Sequence, residues 1–198
     1  MQAKRQARVE RETKETRILL DLRLDGQATY DISSTIPMLD HMLEQLARHG
    51  RLDLTVKATG DTDRDAHHLV EDVAIALGEA LDESLGERRG IARFGHAIVP
   101  LDEALALVAL DLSGRSHAAV DVVFERPEIG GLPMENVAHF LETFANRGRL
   151  TLHVRCLAGD NDHHKLEAIF KALARALRQA IALDSSQAQE VPSTKETL

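Results

Sequence analysis

Two short runs carry most of the chemistry open to this sequence. Ala66-His67-His68-Leu69-Val70-Glu71 and Asp162-His163-His164-Lys165-Leu166-Glu167 each open a long apolar-periodic segment. In a helix, residues i and i+4 lie on one face, while i+1 is turned about 100° away. His67 with Glu71, and His163 with Glu167, can therefore each pinch one cation. His68 and His164 point elsewhere and are free to serve a second. Imidazole with carboxylate is a donor set for a first-row transition metal, and manganese, iron, cobalt and zinc are all admissible. A lone His at a helix start is ordinarily solvated or capping. Two copies of one run, each at a helix N-terminus, are not accounted for that way.

The elements that must position these runs come in a repeated order. Alternating apolar residues from Thr16 to Leu24 read as a half-buried strand, and Asp25-Gly26 as a hairpin turn into a second strand near 28–33. A helix begins at Pro37, with Ser34 or Thr35 as its cap, buries Met38, Leu39, Met42, Leu43 and Leu46, and stops at Gly50. Leu52, Leu54, Val56 and Ala58 alternate as a third strand, and a polar loop leads to the first His-His helix. The order then restarts: strands near 96–110 and 116–124, a Gly/Pro loop, a helix near 134–146, a strand at 149–157 and a helix at 161–183. Residues 1–14 read as a loose arm or an edge strand, and 185–198 as a polar C-terminal tail.

The repeat extends to identities. Leu46-Ala47-Arg48-His49-Gly50-Arg51-Leu52-Asp53-Leu54-Thr55-Val56 aligns with Phe144-Ala145-Asn146-Arg147-Gly148-Arg149-Leu150-Thr151-Leu152-His153-Val154 at an offset of 98, with six of eleven positions identical. His41 likewise falls on His139. This predicts an internally duplicated α/β fold, an α+β two-layer sandwich of two ββαβα half-domains spanning 15–90 and 91–184 of a single domain. Pseudo-symmetry suggests one metal on His41, His67, Glu71 and His164, and another on His139, His163, Glu167 and His68. Pairing each Glu with the His three residues before it is the alternative.

Composition excludes several partners. A net charge of −8 with one Tyr, five Phe and no Trp argues against nucleic acid. No apolar run approaches the roughly 18 residues that would span a membrane. The single Cys156 excludes an intramolecular disulfide and fits a reducing compartment, with the cytoplasm as default. A small-molecule kinase would need a Gly/Ser-rich phosphate loop running into a helix, which none of the 12 Gly forms.

Ile36-Pro37-Met38-Leu39-Asp40-His41-Met42-Leu43, His67-His68-Leu69-Val70-Glu71-Asp72, Asp111-Leu112-Ser113-Gly114-Arg115 and the run Asn161 to Ala172 resemble the signatures of the imidazoleglycerol-phosphate dehydratases. The resemblance runs from about Glu15 to Lys195, and no phosphatase segment accompanies it, implying a monofunctional form. It implies a fold like that of ribosomal protein S5 domain 2, two Mn2+ ions per active site at subunit contacts, and a homo-oligomer of 24 chains. The implied reaction is dehydration of D-erythro-imidazole-glycerol phosphate to imidazole-acetol phosphate in L-histidine biosynthesis. No carbonyl acidifies the C–H that breaks, so the ring must carry the electrons through a metal-bound imidazolate and a diazafulvene-like intermediate.

The resemblance also implies roles. Glu15 matches the acid/base glutamate, with His49 as an auxiliary and Asp102 of the Asp102-Glu103 pair beside the ligands. Arg93, Arg115, Lys171, Ser193 and Lys195 match the phosphate-binding positions, suited to guanidinium and ammonium groups. The segment 192–195 is expected to order at a subunit contact. Ala66, Leu69 and Glu196 stand where the family commonly has Asp, Thr and Gly. A metal-storage shell, the rival reading, would leave Glu15 and the phosphate clamp without purpose.

Overall fold

Strand alternation decides the layering. Ile18, Leu20 and Leu22 are buried on one strand, Leu54, Val56 and Ala58 on its neighbour, while the residues between face outward. Each sheet must therefore cover one face with helices. The computed structural model describes residues 5–60, 62–63, 65–184 and 190–195. Its elements run β1 (Gln6–Glu12), β2 (Thr16–Arg23), β3 (Tyr30–Ser33), α1 (Pro37–Gly50), β4 (Asp53–Gly60) and α2 (His67–Leu85). A second series follows: β5 (Phe94–Leu101), β6 (Ala104–Asp111), β7 (His117–Asp121), the small pair β8 (Glu128–Ile129) and β9 (Leu132–Pro133), α3 (Glu135–Arg147), β10 (Thr151–Ala158) and α4 (Asp162–Ala180). The sheets are ordered β1-β2-β4-β3 and β5-β6-β10-β7. In each, only the last pair is parallel. The fold is a mixed α/β, α+β sandwich, and the expected ββαβα order is embedded in each half behind one additional strand.

That additional strand corrects two local readings. Residues 96–110 are not one strand but a hairpin, β5 against β6, turned at Asp102-Glu103. Asp102 takes φ +47 there, a left-handed conformation that Asp tolerates, so no Gly or Pro marked the turn. Asp25-Gly26, in contrast, is not a hairpin turn. β2 pairs with β4, and β3 lies on the far side of β4. The crossover is held by Asp53, whose Oδ1 accepts from the Gln27 and Thr29 amides at 2.8 and 3.0 Å. A Cβ on Gly26 would fall 2.2 Å from the Asp53 nitrogen, so only glycine lets the chain pass so close.

The helix ends reuse one solution. α1 and α3 are each followed by an Arg with positive φ, Arg51 at +55 and Arg149 at +50, and the next amide returns to the helix: Leu52 N to Ala47 O, Leu150 N to Ala145 O. The start of α1 departs from expectation. Neither Ser34 nor Thr35 caps it; Ile36 is the cap residue, and the Met38 amide donates to Gly130 O in the β8–β9 loop at 3.2 Å. A tertiary contact satisfies the donor that a local side chain was expected to take.

α2 lies on β1 and β2, α4 on β5 and β6, α1 beside β3 and α3 beside β7. Across the halves α1 packs on α4 and α2 on α3, so all four helices lie between the two sheets. One buried cluster runs through both halves, from Leu20, Leu43 and Leu46 to Phe140, Phe144 and Phe170. Buried polar groups tie the layers together: Asp72 of α2 accepts from Arg11 Nε at 2.6 Å and from the Thr16 hydroxyl, joining α2 to the first hairpin. The α2–α3 crossing is close at Gly78, where a Cβ would come within 2.6 Å of Arg147 Cβ and 2.8 Å of the Gly148 nitrogen. Gly78→Ala is expected to destabilise the protein by about 1–3 kcal/mol, the usual cost of overpacking, read as a lower denaturant midpoint at unchanged slope.

Candidate metal centre

The helix pairing brings the histidines together in two groups. In the first, His163 and Glu167 stand one turn apart on α4, and α1 contributes His41 from the other half. His41 Nε2 and His163 Nε2 both approach Glu167 Oε2, at 3.2 and 3.1 Å. The other carboxylate oxygen, Oε1, lies 2.5 Å from Lys171 Nζ. In the second group, α2 supplies His67 and Glu71, and α3 supplies His139. His67 and His139 stack at 4.5 Å, and His139 Nε2 lies 3.3 Å from Glu71 Oε1. His67 Nδ1 meets Asn136 Oδ1 at 3.2 Å; with that oxygen accepting, Nδ1 carries the proton and Nε2 presents its lone pair to the group.

The donor sets fit a metal ion. Each group gathers two imidazoles and a carboxylate whose ligand atoms lie within 4.8 Å of one another. Three protein ligands leave positions open, as catalytic sites require. His139 Nε2 is buried without a hydrogen-bond partner, an orphaned lone pair or N–H aimed at the Glu71 carboxylate. Burial pushes the Glu167 carboxyl up, but the hydrogen bonds from Lys171 and His41 outweigh it and hold its pKa down at about 2. The group is therefore an anion at neutral pH, ready to ligate.

The expected allocation of ligands is corrected. His41 does not join His67 and Glu71, nor does His139 join His163 and Glu167; the short-helix histidines are exchanged. The reason is the packing of α1 on α4 and of α2 on α3, which carries each short helix across to the other half's His-His motif. Within each long helix the i, i+4 pairing is the one observed, not the i, i+3 alternative. His68 and His164 lie outside both groups. His68 Nδ1 is 3.1 Å from Glu15 Oε2, with both side chains more than half exposed. His164 Nδ1 is 2.8 Å from Glu103 Oε2.

Glu103 was not singled out in the sequence, yet it is the nearer acid to His164: Asp102 Oδ2 lies 3.8 Å from Nε2, on a side chain 75% exposed. Its signal was positional. Glu103 immediately precedes β6 as Glu15 immediately precedes β2, an equivalence that the unbroken alternation of 96–110 conceals. The hydrogen bond from His164 and then the Asn161 amide lower the Glu103 pKa to about 2, and the same contact raises that of His164.

The remaining residues divide. His49, at the end of α1, has its pKa lowered by burial and by the charges of Lys171, Arg175 and Arg48, which favours its neutral ring. Arg93 faces Asp111, with Nε–Oδ1 at 2.7 Å and Nη2–Oδ2 at 3.1 Å, and its Nη1 donates to Pro192 O at 2.7 Å. That bond lays residues 190–195, with Ser193 and Lys195, against the start of β5. The Leu112 amide donates to Arg93 O, so the Ser113-Gly114-Arg115 loop begins beside the same residue. Glu196 lies outside the described residues, as does 185–189 of the tail.

A family model described as imidazoleglycerol-phosphate dehydratase matches residues 34–177. An imidazoleglycerol-phosphate dehydratase of Dehalococcoides mccartyi is 55% identical over 192 residues, covering 97% of this chain and 96% of the relative. That of Hydrogenovibrio crunogenus is 51% identical, covering 98% and 100%. Among solved structures, the enzyme of Staphylococcus aureus aligns with a TM-score of 0.82 at 31% identity, covering 90% of this chain and 99% of that one. The enzyme of Pyrococcus furiosus aligns with a TM-score of 0.82 at 39% identity, covering 96% and 100%.

Glu167 links the site to stability. Its folded pKa, about 2, lies below its ordinary 4.5, so its contribution is present above pH 4.5 and lost as pH falls from there towards 2. In metal-free protein, Glu167→Gln is expected to be less stable than wild type at neutral pH. The gap should close across that acid window in a pH series of denaturant titrations.

Proposed function

The chain belongs to the imidazoleglycerol-phosphate dehydratase family, hydro-lyases of histidine biosynthesis, and from that premise we propose that it dehydrates D-erythro-imidazole-glycerol phosphate to imidazole-acetol phosphate on two Mn2+ ions. The observation that carries the reading is the pair of separate His/His/carboxylate groups, each with open positions. His41, His163 and Glu167 would hold one ion, and His67, His139 and Glu71 the other. When bound, the ions would act as Lewis acids on the substrate ring, stabilising the negative charge it gains as the C–H bond breaks.

The chain's own groups supply the rest. Glu15, half-exposed on the turn before β2, takes and returns the proton. His49, held towards its neutral form by burial and its cationic neighbours, is the auxiliary proton carrier, and Asp102 flanks His164. Arg93, Arg115, Lys171, Ser193 and Lys195 take the phosphate, with Arg93 also holding the 190–195 segment in place for it. His68 and His164 stand outside the groups of their own chain, so each is offered to the site of a neighbouring copy. This supports a homo-oligomer, of 24 chains by family resemblance, with active sites at subunit contacts. A single free cysteine suits a cytoplasmic enzyme.

Protein stripped of metal and then titrated with Mn2+ tests the reading. Ketone product should appear only with metal and vanish in His41→Ala and His139→Ala. Glu15→Gln should lower kcat by about 100- to 10,000-fold with metal still bound. Product formed without any metal would overturn the mechanism, and two bound ions with no product would turn the protein into a metal-storage shell.

A further inference from the structure

The two turns that face the His-His motifs carry one acid each in the same place, and the acids are held differently. Glu15 closes the β1–β2 turn and Glu103 the β5–β6 turn. Each carboxylate reaches Nδ1 of the second histidine, Glu15 that of His68 at 3.1 Å and Glu103 that of His164 at 2.8 Å. The likeness ends there. Glu103 Oε1 also accepts the Asn161 amide at 2.8 Å and the Asp160 amide at 3.3 Å, the two residues that lead into α4. Both its oxygens are therefore engaged, one by backbone and one by imidazole. Among the described residues, the carboxylate of Glu15 meets His68 alone, and its side chain is 52% exposed.

We infer that the duplicated acids have taken separate roles, Glu103 as a positioning residue that fixes the ring of His164 and Glu15 as the acid left free to react. The assignment rests on the dehydratase reading above. With Nδ1–H donated to Glu103, His164 keeps its lone pair on Nε2 and cannot swing about its side-chain bonds without losing a contact anchored to the helix entrance. A ligand delivered to a neighbouring copy benefits from such anchoring: it must arrive with tautomer and direction already set, because among the described residues it belongs to neither ligand group of its own chain. Carboxylate-oriented histidines bind metal more tightly than free ones, and loss of the orienting group typically costs 10- to 100-fold in affinity. A carboxylate tied at both oxygens is a poor shuttle, since moving a proton through it would break either the amide bonds or the imidazole bond.

The test separates affinity from turnover. Mn2+ binding to wild type, Glu103→Ala and Glu15→Gln is followed by calorimetry and by the electron paramagnetic resonance signal of free Mn2+, and kcat is measured at saturating Mn2+. Glu103→Ala should weaken one class of Mn2+ site by about 10- to 100-fold and spare the other. Its kcat at saturating metal should fall far less than that of Glu15→Gln, which should keep both affinities. Glu103→Gln, whose amide oxygen can still accept from His164, should recover part of the lost affinity, and it carries the test if Glu103→Ala does not fold. Wild-type affinity in Glu103→Ala, or kcat abolished at saturating metal with affinity intact, would overturn the assignment. A wild-type protein that binds no Mn2+ or makes no ketone would instead overturn the reading on which it rests.

Discussion

The packing of each half's short helix against the other half's long helix is the constraint on which the site depends. Without α1 on α4 and α2 on α3, the i, i+4 pairs His163/Glu167 and His67/Glu71 would be two-pronged and exposed. The crossing adds His41 and His139 and half-buries the groups, which strengthens every electrostatic interaction within them. Residues of all four helices share one buried cluster that includes Phe140, Phe144 and Phe170, so the helices that assemble the ligands also build the core. The arrangement of the candidate ligands follows from the packing of the helices.

Electrostatics at the two groups are not equal. Glu167 is shared between two imidazoles and Lys171, and those partners hold it ionised despite burial. Among the described residues Glu71 meets no such cation, and beside it His139 Nε2 has no hydrogen-bond partner while Asn136 fixes the tautomer of His67. One group is thus steadied by charge and the other by a neutral amide. The two series share one order of elements, and the residues around each ligand group differ within it.

Charges further out serve placement. Arg93 spends two nitrogens on Asp111 and a third on the Pro192 carbonyl, so it clips the C-terminal segment to the head of β5. Asp162, one residue before His163, accepts the Glu125 and Arg126 amides and ties the loop after β7 to the start of α4. Such bonds to backbone fix loops more firmly than surface ion pairs do, and both end beside residues of the proposed site.

Much was legible in the sequence because its signals are local. The i, i+4 periodicity of His67/Glu71 and His163/Glu167, the helix from Pro37 to Gly50, the alternation of Leu20, Leu22, Leu54 and Val56, and the identities around Gly50 and Gly148 all follow from short-range geometry. They determined the duplicated α/β class and the chemistry of the donor set. The rest depended on distance in the chain. Nothing near His41 states that it will face residues 163 and 167, because that choice belongs to helix packing between halves. The hairpin at Asp102-Glu103 was masked by continuous alternation and an Asp in a left-handed turn, and with it the role of Glu103. The cap of α1 was supplied by Gly130, a backbone carbonyl with no sequence signature. The sequence by itself determined which side chains could bind a metal; only the tertiary structure decided which of them share one, since spacing along a helix is set by its pitch and spacing between helices by what is buried between them.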